Sequence, residues 1–348
     1  MRLPSRPSPG VILLASSLLA RHYCGASRHP MCCLIAASRT GNADRGETMR
    51  TAWASVIALT FPIGSSSGQD VKPGWPIPDG VRWQTVNGYP LAYRDLGQGV
   101  PIVLIHGSIT DYRTWEPQFE AFSKSHRVIA VSLRHFYPEA WQGEGSTFSI
   151  EQHAADVAEL IKRLNLGKVH LVGWSRGGAV AIEIAKAHPG LIRTLVMEDG
   201  SIVMPVDETP EAQKAAEAMA NNRRTLQENL RSSGPEKAAE VFADAINGPG
   251  MWQKAPPATK QIVLQNIYTA LGDKSRPSTT CADLQKFEFP VLLMTGEKSP
   301  KSFAFFYGEM RKCKSFPEPI VIPNAIHNIH RSATEPYNKA VLEFVSKH

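Results

Sequence analysis

Val169-His170-Leu171-Val172-Gly173-Trp174-Ser175-Arg176-Gly177-Gly178 is the stretch that decides the fold. Four residues of buried-strand character run into a serine set between glycines, and residues 176–188 continue with apolar positions three or four apart, the spacing of a helix. Strand, Gly-x-Ser-x-Gly and helix in direct succession fit a turn that holds a serine hydroxyl proud of the chain for nucleophilic attack. The small residues are needed because a Cβ at either flanking glycine would collide with the facing strand or helix. The helix start also aims its free amides and its positive dipole end at the reaction centre. A plainer reading makes Ser175 only the N-cap of a helix. A dinucleotide site does not fit, because the spacing is not G-x-G-x-x-G and the strand does not open the domain.

Outward from this turn, short apolar runs alternate with longer amphipathic stretches, the pattern of a parallel sheet covered by helices. Strands are expected at 81–86, 91–96, 102–105, 127–132, 169–172, 194–198, 291–295 and 320–322, with Asn87-Gly88 as a tight hairpin between the first two. Helices are expected at 113–124, 150–164, 176–188, 301–313 and 335–347. The interval 205–286 interrupts the alternation with helical stretches at 211–231, 235–246 and 259–271, and reads as a helical cap inserted after the sixth strand. Core segments are thus 71–204 and 287–348. Met204, Met219, Phe242, Met251, Trp252 and Tyr268 could supply an apolar wall for a substrate beneath the cap, though at helical spacing most are expected to pack within it.

The chain has 348 residues and a formal charge of +6, but the charge is unevenly placed. Residues 1–69 hold seven Arg against two acids, leaving 31 basic and 30 acidic residues for the rest. A near-neutral folded part removes the support for nucleic-acid binding. Residues 1–70 are read as a leader outside the fold. Two signal-like stretches compete in it, Arg2 and Arg6 ahead of apolar residues 11–20, and Met49-Arg50 ahead of 52–63 with small residues at 65–68. The second has the basic start, apolar middle and small-residue exit of an export signal, so a periplasmic or secreted protein is expected. Residues 1–43, rich in Arg and Ser without an acid, also suit an organellar transit peptide. Neither apolar run reaches the roughly 20 residues of a membrane span. Cys24, Cys32, Cys33, Cys281 and Cys313 have no zinc-ligand spacing, and no metal or organic cofactor is implied. Cys281 and Cys313 are open to two readings, a disulfide in an oxidising compartment or two buried thiols.

A serine needs a base, and chain order places it near the C-terminus. His327 follows the last strand in Ile320-Val321-Ile322-Pro323-Asn324-Ala325-Ile326-His327, with His330 as its rival. The acid is the difficult member. After the strand 291–295, where this arrangement usually supplies an Asp, the chain reads Gly296-Glu297-Lys298-Ser299. Val196-Met197-Glu198-Asp199-Gly200 offers two carboxylates one strand earlier. Glu198 is preferred, with Glu297 and Asp199 as alternatives. The turn His106-Gly107-Ser108 after 102–105 would supply one oxyanion donor from the Ser108 amide, and the Arg176 amide the other; His106 itself is read as packing the turn.

His106-Gly107, the Gly173-to-Gly178 turn and His327 together resemble the α/β-hydrolase superfamily over residues 81–348. The resemblance implies an α/β fold, a mostly parallel eight-stranded sheet flanked by helices. Met197-Glu198 followed by Met204-Pro205 is similar to the haloalkane dehalogenase subgroup, whose acid lies at that strand end, which favours Glu198. Dehalogenases and epoxide hydrolases use an Asp nucleophile, so Ser175 implies ester-type chemistry instead. Of the D-x-R-G-x-G-x-S turn of many relatives, 132–139 keeps only Arg134. The expected activity is hydrolysis of a small or medium-sized ester, thioester or lactone, with C–C bond hydrolysis by the same triad, or ligand binding with little turnover, as the other readings.

Overall fold

The computed structural model describes residues 74–205, 209–272, 274 and 276–348. The expected leader therefore lies outside the described residues.

Eight strands, β1 (Val81–Val86), β2 (Tyr89–Leu96), β3 (Pro101–Ile105), β4 (Arg127–Val131), β5 (Val169–Trp174), β6 (Ile192–Glu198), β7 (Val291–Gly296) and β8 (Ile320–Ile322), form one sheet in the order β1-β2-β4-β3-β5-β6-β7-β8. The hairpin β1–β2 and the β2–β4 pair are antiparallel and all other pairs are parallel. Asn87 and Gly88 both take positive φ, 48° and 74°, as a two-residue hairpin turn of this kind requires. Ile102, Val103, Leu104 and Ile105 are all fully buried, which is why β3 reads as an unbroken apolar run: helices cover both faces.

Helices α1 (Glu116–Ser123), α2 (Ile150–Arg163), α3 (Arg176–Ala187), α9 (Lys301–Cys313) and α11 (Thr334–Val345) flank the sheet, and α10 (Ile329–Ser332) is a single turn before the last. One apolar core packs the sheet against α2, α3 and α9, and a second packs its other face against α1 and α11. Between β6 and β7 lie α4 (Pro210–Ser233), α5 (Pro235–Asn247), α6 (Met251–Lys254), α7 (Pro257–Asn266), a 3-10 stretch Ile267–Gly272 and α8 (Cys281–Gln285). Leu226, Leu230, Ala238, Ala239, Trp252 and Ile267 give this interval a small core of its own, joined to the sheet domain through Ile109. Asn266 ties α7 down: its Nδ2 donates to Asp111 Oδ2 (2.7 Å) and its Oδ1 accepts from the Tyr137 amide (2.7 Å). Cys281 and Cys313 form a disulfide between α8 and the end of α9. No helix among the described residues is long and apolar enough to cross a membrane.

Parallel pairing is what assembles the site. Ile105 pairs with Gly173, Trp174 with Glu198, and Glu198 with Met294, so β3, β5, β6 and β7 release their following loops at one edge of the sheet. That edge, outside the carboxyl ends of the strands, is where open α/β sheets bind ligands.

Candidate active site

Ser175 closes β5 and opens α3 with φ 51° and ψ −117°, a backbone state that a non-glycine residue occupies only when its surroundings impose it. They do so here through three hydrogen bonds. The Ser175 amide donates to Glu198 O (3.0 Å), and its carbonyl accepts from the amides of Gly178 (2.9 Å) and Ser201 (2.8 Å). A Cβ on Gly173 would come 2.5 Å from Gly177 O, one on Gly177 would come 2.1 Å from Ile105 O, and one on Gly178 would come 2.4 Å from Gly200 Cα. The turn therefore admits only glycine at these three places. Ser175 makes no side-chain capping bond to α3, so the plainer N-cap reading does not describe it.

His327 lies in the loop after β8 and is buried. Its Nδ1 is 3.2 Å from Asp199 Oδ2, and its carbonyl accepts from Trp174 Nε1 (2.9 Å). Phe303 stacks on the imidazole at 4.6 Å with 15° between planes. With Nδ1 turned to a carboxylate, Nε2 is the nitrogen left for proton transfer. Ser175 and His327 line the same two cavities.

The expectation that Glu198 orients His327 is corrected by the geometry. Glu198 Oε1 accepts from both the amide (2.9 Å) and Nδ1 (2.8 Å) of His330, whose Nε2 is 2.9 Å from Thr114 Oγ1. His330 is thereby held under the ring of Trp115, 4.4 Å away, and takes no place in either cavity. Glu198 is the last residue of β6 and its side chain follows the strand's alternation onto the face covered by α1 and α11. Asp199 has left the strand with φ 40° and turns its carboxylate the other way, toward His327. The two consecutive acids thus each hold one histidine of the same loop. Glu297 is exposed and its Oε2 accepts from the Asn324 amide (2.7 Å), which fixes the loop but does not reach His327 by any described bond.

Ser299, where an Asp was expected, serves the displaced acid. Its hydroxyl donates to Asp199 Oδ2 at 2.5 Å and accepts from the Gly296 amide (3.2 Å). Tyr307 braces the same turn, accepting from the Gly200 amide (2.6 Å) and donating to Met197 O (3.0 Å). Burial, with the Asp199 charge beside it, pushes its phenol well above the usual value and keeps it a donor.

At the opposite side, Gly107 lies so close to the elbow that a Cβ there would come 2.8 Å from the Trp174 ring and 3.2 Å from Ser175 Cβ. Ser108 follows it and lines both cavities. Arg176 is the first residue of α3, where helix geometry leaves amides without an intrahelical acceptor. His106 is fully buried in backbone bonds: Nε2 accepts from the Leu133 amide (3.0 Å), so Nδ1 donates to Gly107 O (2.8 Å). Burial pushes its pKa down to about 4, and it stays neutral.

The first cavity, about 300 Å³, lies toward α4 and α9 and is walled by Met204, Met219, Phe242 and Phe306. Arg176, its guanidinium 4.5 Å from the Phe148 ring centre and 3.2 Å from His153 Nδ1, also lines it. The second, about 360 Å³, lies toward α5, α6 and α7, with Phe242, Met251 and Trp252 on its wall. Of the six apolar cap residues expected mostly to pack internally, only Tyr268 lines neither cavity; the rest have a face on the site. The reshaped loop around Arg134 is anchored by a bidentate pair to buried Asp156 (2.7 and 2.9 Å) and delivers Phe136 to the first cavity.

A parallel sheet with a strained serine at the end of its central strand defines the class, the α/β-hydrolases. The α/β-hydrolase-fold family model matches residues 100–331, and the chain belongs to that family. Among its relatives, the (E)-2-((N-methylformamido)methylene)succinate hydrolase of Acinetobacter baylyi is 25% identical over 264 residues, covering 74% of this chain and 95% of the relative. A putative 2-succinyl-6-hydroxy-2,4-cyclohexadiene-1-carboxylate synthase of Bacillus subtilis is 25% identical over 285 residues, 78% of this chain and 97% of the relative. Among solved structures, an esterase from Thermogutta terrifontis superposes with a TM-score of 0.60 at 25% identity, covering 77% of this chain and 97% of that one. The chain is a hydrolase of the α/β type.

Proposed function

We propose that this hydrolase cleaves a small or medium-sized carboxylic ester, thioester or lactone through an acyl-enzyme on Ser175. The observation that carries the reading is the strained serine sharing two cavities with a histidine whose Nδ1 is engaged by a buried carboxylate. In the first step Ser175 Oγ attacks the carbonyl carbon while His327 Nε2 takes the hydroxyl proton. The amides of Ser108 and Arg176 hold the oxyanion. The tetrahedral adduct collapses, the bond to the leaving group breaks, and His327 returns the proton to that group. Water then repeats the sequence on the acyl-enzyme, releasing the acid and free Ser175. Asp199 keeps His327 in the tautomer with the proton on Nδ1 and stabilises the imidazolium that forms. The two cavities meeting at Ser175 suit a substrate with an arm on either side of the reacting carbonyl.

The test is pre-steady-state hydrolysis of p-nitrophenyl butyrate. A burst of about one p-nitrophenolate per chain is expected, and Ser175→Ala should remove both burst and turnover. Turnover preserved in Ser175→Ala overturns the assignment. A β-diketone or ring-fission substrate cleaved much faster than any ester would move the reading to C–C bond hydrolysis on the same residues.

We further propose that the protein is exported through the segment near residues 49–68. The Cys281–Cys313 disulfide supports this, because such bonds persist in oxidising compartments.

A further inference from the structure

The second cavity has a charge character that ester cleavage by itself does not require. No Asp or Glu is among its described lining residues, whereas Arg331 and Lys254 both line it. Arg331 sits on α10, four residues after His327, and is half-buried. Its described side-chain hydrogen bonds run from Nη1 alone, to Thr114 O (3.0 Å) and Arg113 O (3.4 Å), both uncharged acceptors. No carboxylate lies within ion-pair distance of it among the described residues. Burial pushes the Arg331 pKa down, against the pull of the Glu116 charge. A guanidinium carries five N–H donors in a planar fork, and a half-buried one with no carboxylate in direct contact leaves most of that capacity to solvent or to a ligand.

Asn328, on the same loop and lining the same cavity, has its Oδ1 buried without a hydrogen-bond partner in the chain. Rotation of that amide presents an NH2 donor instead, since oxygen and nitrogen are interchangeable in such a group. Lys254 is exposed at the rim. The surrounding wall, Ile109, Phe242, Trp252 and Ile262, is apolar and lowers the local dielectric, which strengthens a charge pair formed there. An uncharged arm would displace water from the guanidinium and leave it only the Nη1 bonds to the carbonyls of residues 113 and 114 and the more distant Glu116 charge.

We propose that the second cavity binds an arm of the substrate that bears a carboxylate, with Arg331 as the residue that holds it and sets specificity. The bound carboxylate accepts from the Arg331 fork, while the carbonyl to be cleaved lies at Ser175, where the two cavities meet. The Nη1 bonds to the carbonyls of residues 113 and 114 pin the guanidinium, so little side-chain entropy is lost when the anion binds. This inference rests on the serine-hydrolase reading above and narrows its substrate class to anionic acyl compounds.

Two matched pairs test it in the full-length protein. p-Nitrophenyl heptanoate against the p-nitrophenyl half-ester of adipic acid puts the charge on the acyl arm. Phenyl butyrate against 4-carboxyphenyl butyrate puts it on the leaving arm. For one pair, the wild type should favour the charged member in kcat/KM by roughly tenfold or more, chiefly through KM, as a charge-assisted hydrogen bond provides. Arg331→Gln should bring that ratio to about one, and Arg331→Lys should lower it severalfold because a point charge replaces the fork. Reading a ratio within each variant removes any general loss of activity from the disturbed Thr114 contact. A wild-type ratio near or below one in both pairs overturns the proposal, as does a ratio that survives in Arg331→Gln. If that variant does not fold, an unchanged ratio in Arg331→Lys overturns it equally. Neutral esters cleaved with no charge preference would leave the serine chemistry standing and this inference refuted. Neutral and charged esters both left intact, with no acyl-enzyme on Ser175, would refute the two together.

Discussion

Replacing each acid of the Glu198-Asp199 pair in turn should separate catalysis from stability. Asp199 Oδ2 lies 3.2 Å from His327 Nδ1, and a carboxylate there demands the proton on Nδ1. In Asp199→Asn, an amide NH2 facing Nδ1 favours the opposite tautomer, with the proton on Nε2, and the imidazole is no longer a base toward Ser175. Such a change lowers kcat by roughly 10³–10⁴-fold when geometry is otherwise kept. Glu198 accepts two hydrogen bonds from His330, 2.9 and 2.8 Å, at a site with no solvent exposure. Gln at 198 keeps an accepting oxygen for both donors, so Glu198→Gln should retain kcat within about tenfold. Glu198→Ala removes the acceptor and leaves both donors buried without a partner, at about 1–3 kcal/mol each. The assay is kcat on a p-nitrophenyl ester together with the urea midpoint for each variant. The reversed pattern, an active Asp199→Asn and a folded but inert Glu198→Gln, would refute the reasoning.

Ser299→Ala removes the 2.5 Å hydrogen bond that fixes the Asp199 carboxylate, and kcat should fall by roughly tenfold with KM little changed; an unaltered kcat would show that Asp199 holds its position without it. Burial pushes His106 and His170 each down to about 4, so the folded chain gives up protons that the unfolded chain still holds between about 4 and 6.5. Their share of stability is therefore complete above pH 6.5 and is lost as pH falls through that window, by up to about 1.4 kcal/mol per unit for each group. Urea midpoints measured from pH 7 to 4.5 should fall, and less steeply in His170→Gln; equal slopes would contradict the buried-neutral state. N-terminal sequencing of the native protein should begin near residues 65–69, and a mature chain starting at Met1 would exclude export through the proposed segment.

The sheet was legible in the sequence because its central strands β3, β5, β6 and β7 are almost wholly buried and read as apolar runs, because Asn87-Gly88 marks the hairpin between the exposed first strand and the second, and because the Gly-flanked Ser175 marks one strand end chemically. Short elements were not legible: α6 and α8, at four and five residues, are below the length at which a helical period shows. The pairing of acids with histidines was hidden for a different reason. Glu198 and Asp199 face His327 and His330, and either pairing has the same composition. What selects one is the positive φ of Asp199 just past the strand end; Gly200 marks a turn there but does not say which of the two acids before it takes the left-handed backbone. Ser299 reads as a missing acid, yet a hydroxyl at that place is what a carboxylate arriving from β6 needs as a donor. Which cap residues also wall a cavity was not legible, because core and cavity wall are both apolar at helical spacing; Phe242 and Trp252 pack in the cap core and line the second cavity, whereas Tyr268 does only the first. Arg331 carries no motif, and only its burial beside the site distinguishes it from a surface arginine.

The most direct test of the central claim is intact-mass and peptide mapping after treatment with a fluorophosphonate, which reacts with a serine only where a base and an oxyanion site are in place. The expected result is one adduct per chain, carried by the peptide containing Ser175, absent in Ser175→Ala and strongly slowed in His327→Ala and Asp199→Asn. An adduct on another serine, or none on a folded protein, would contradict it.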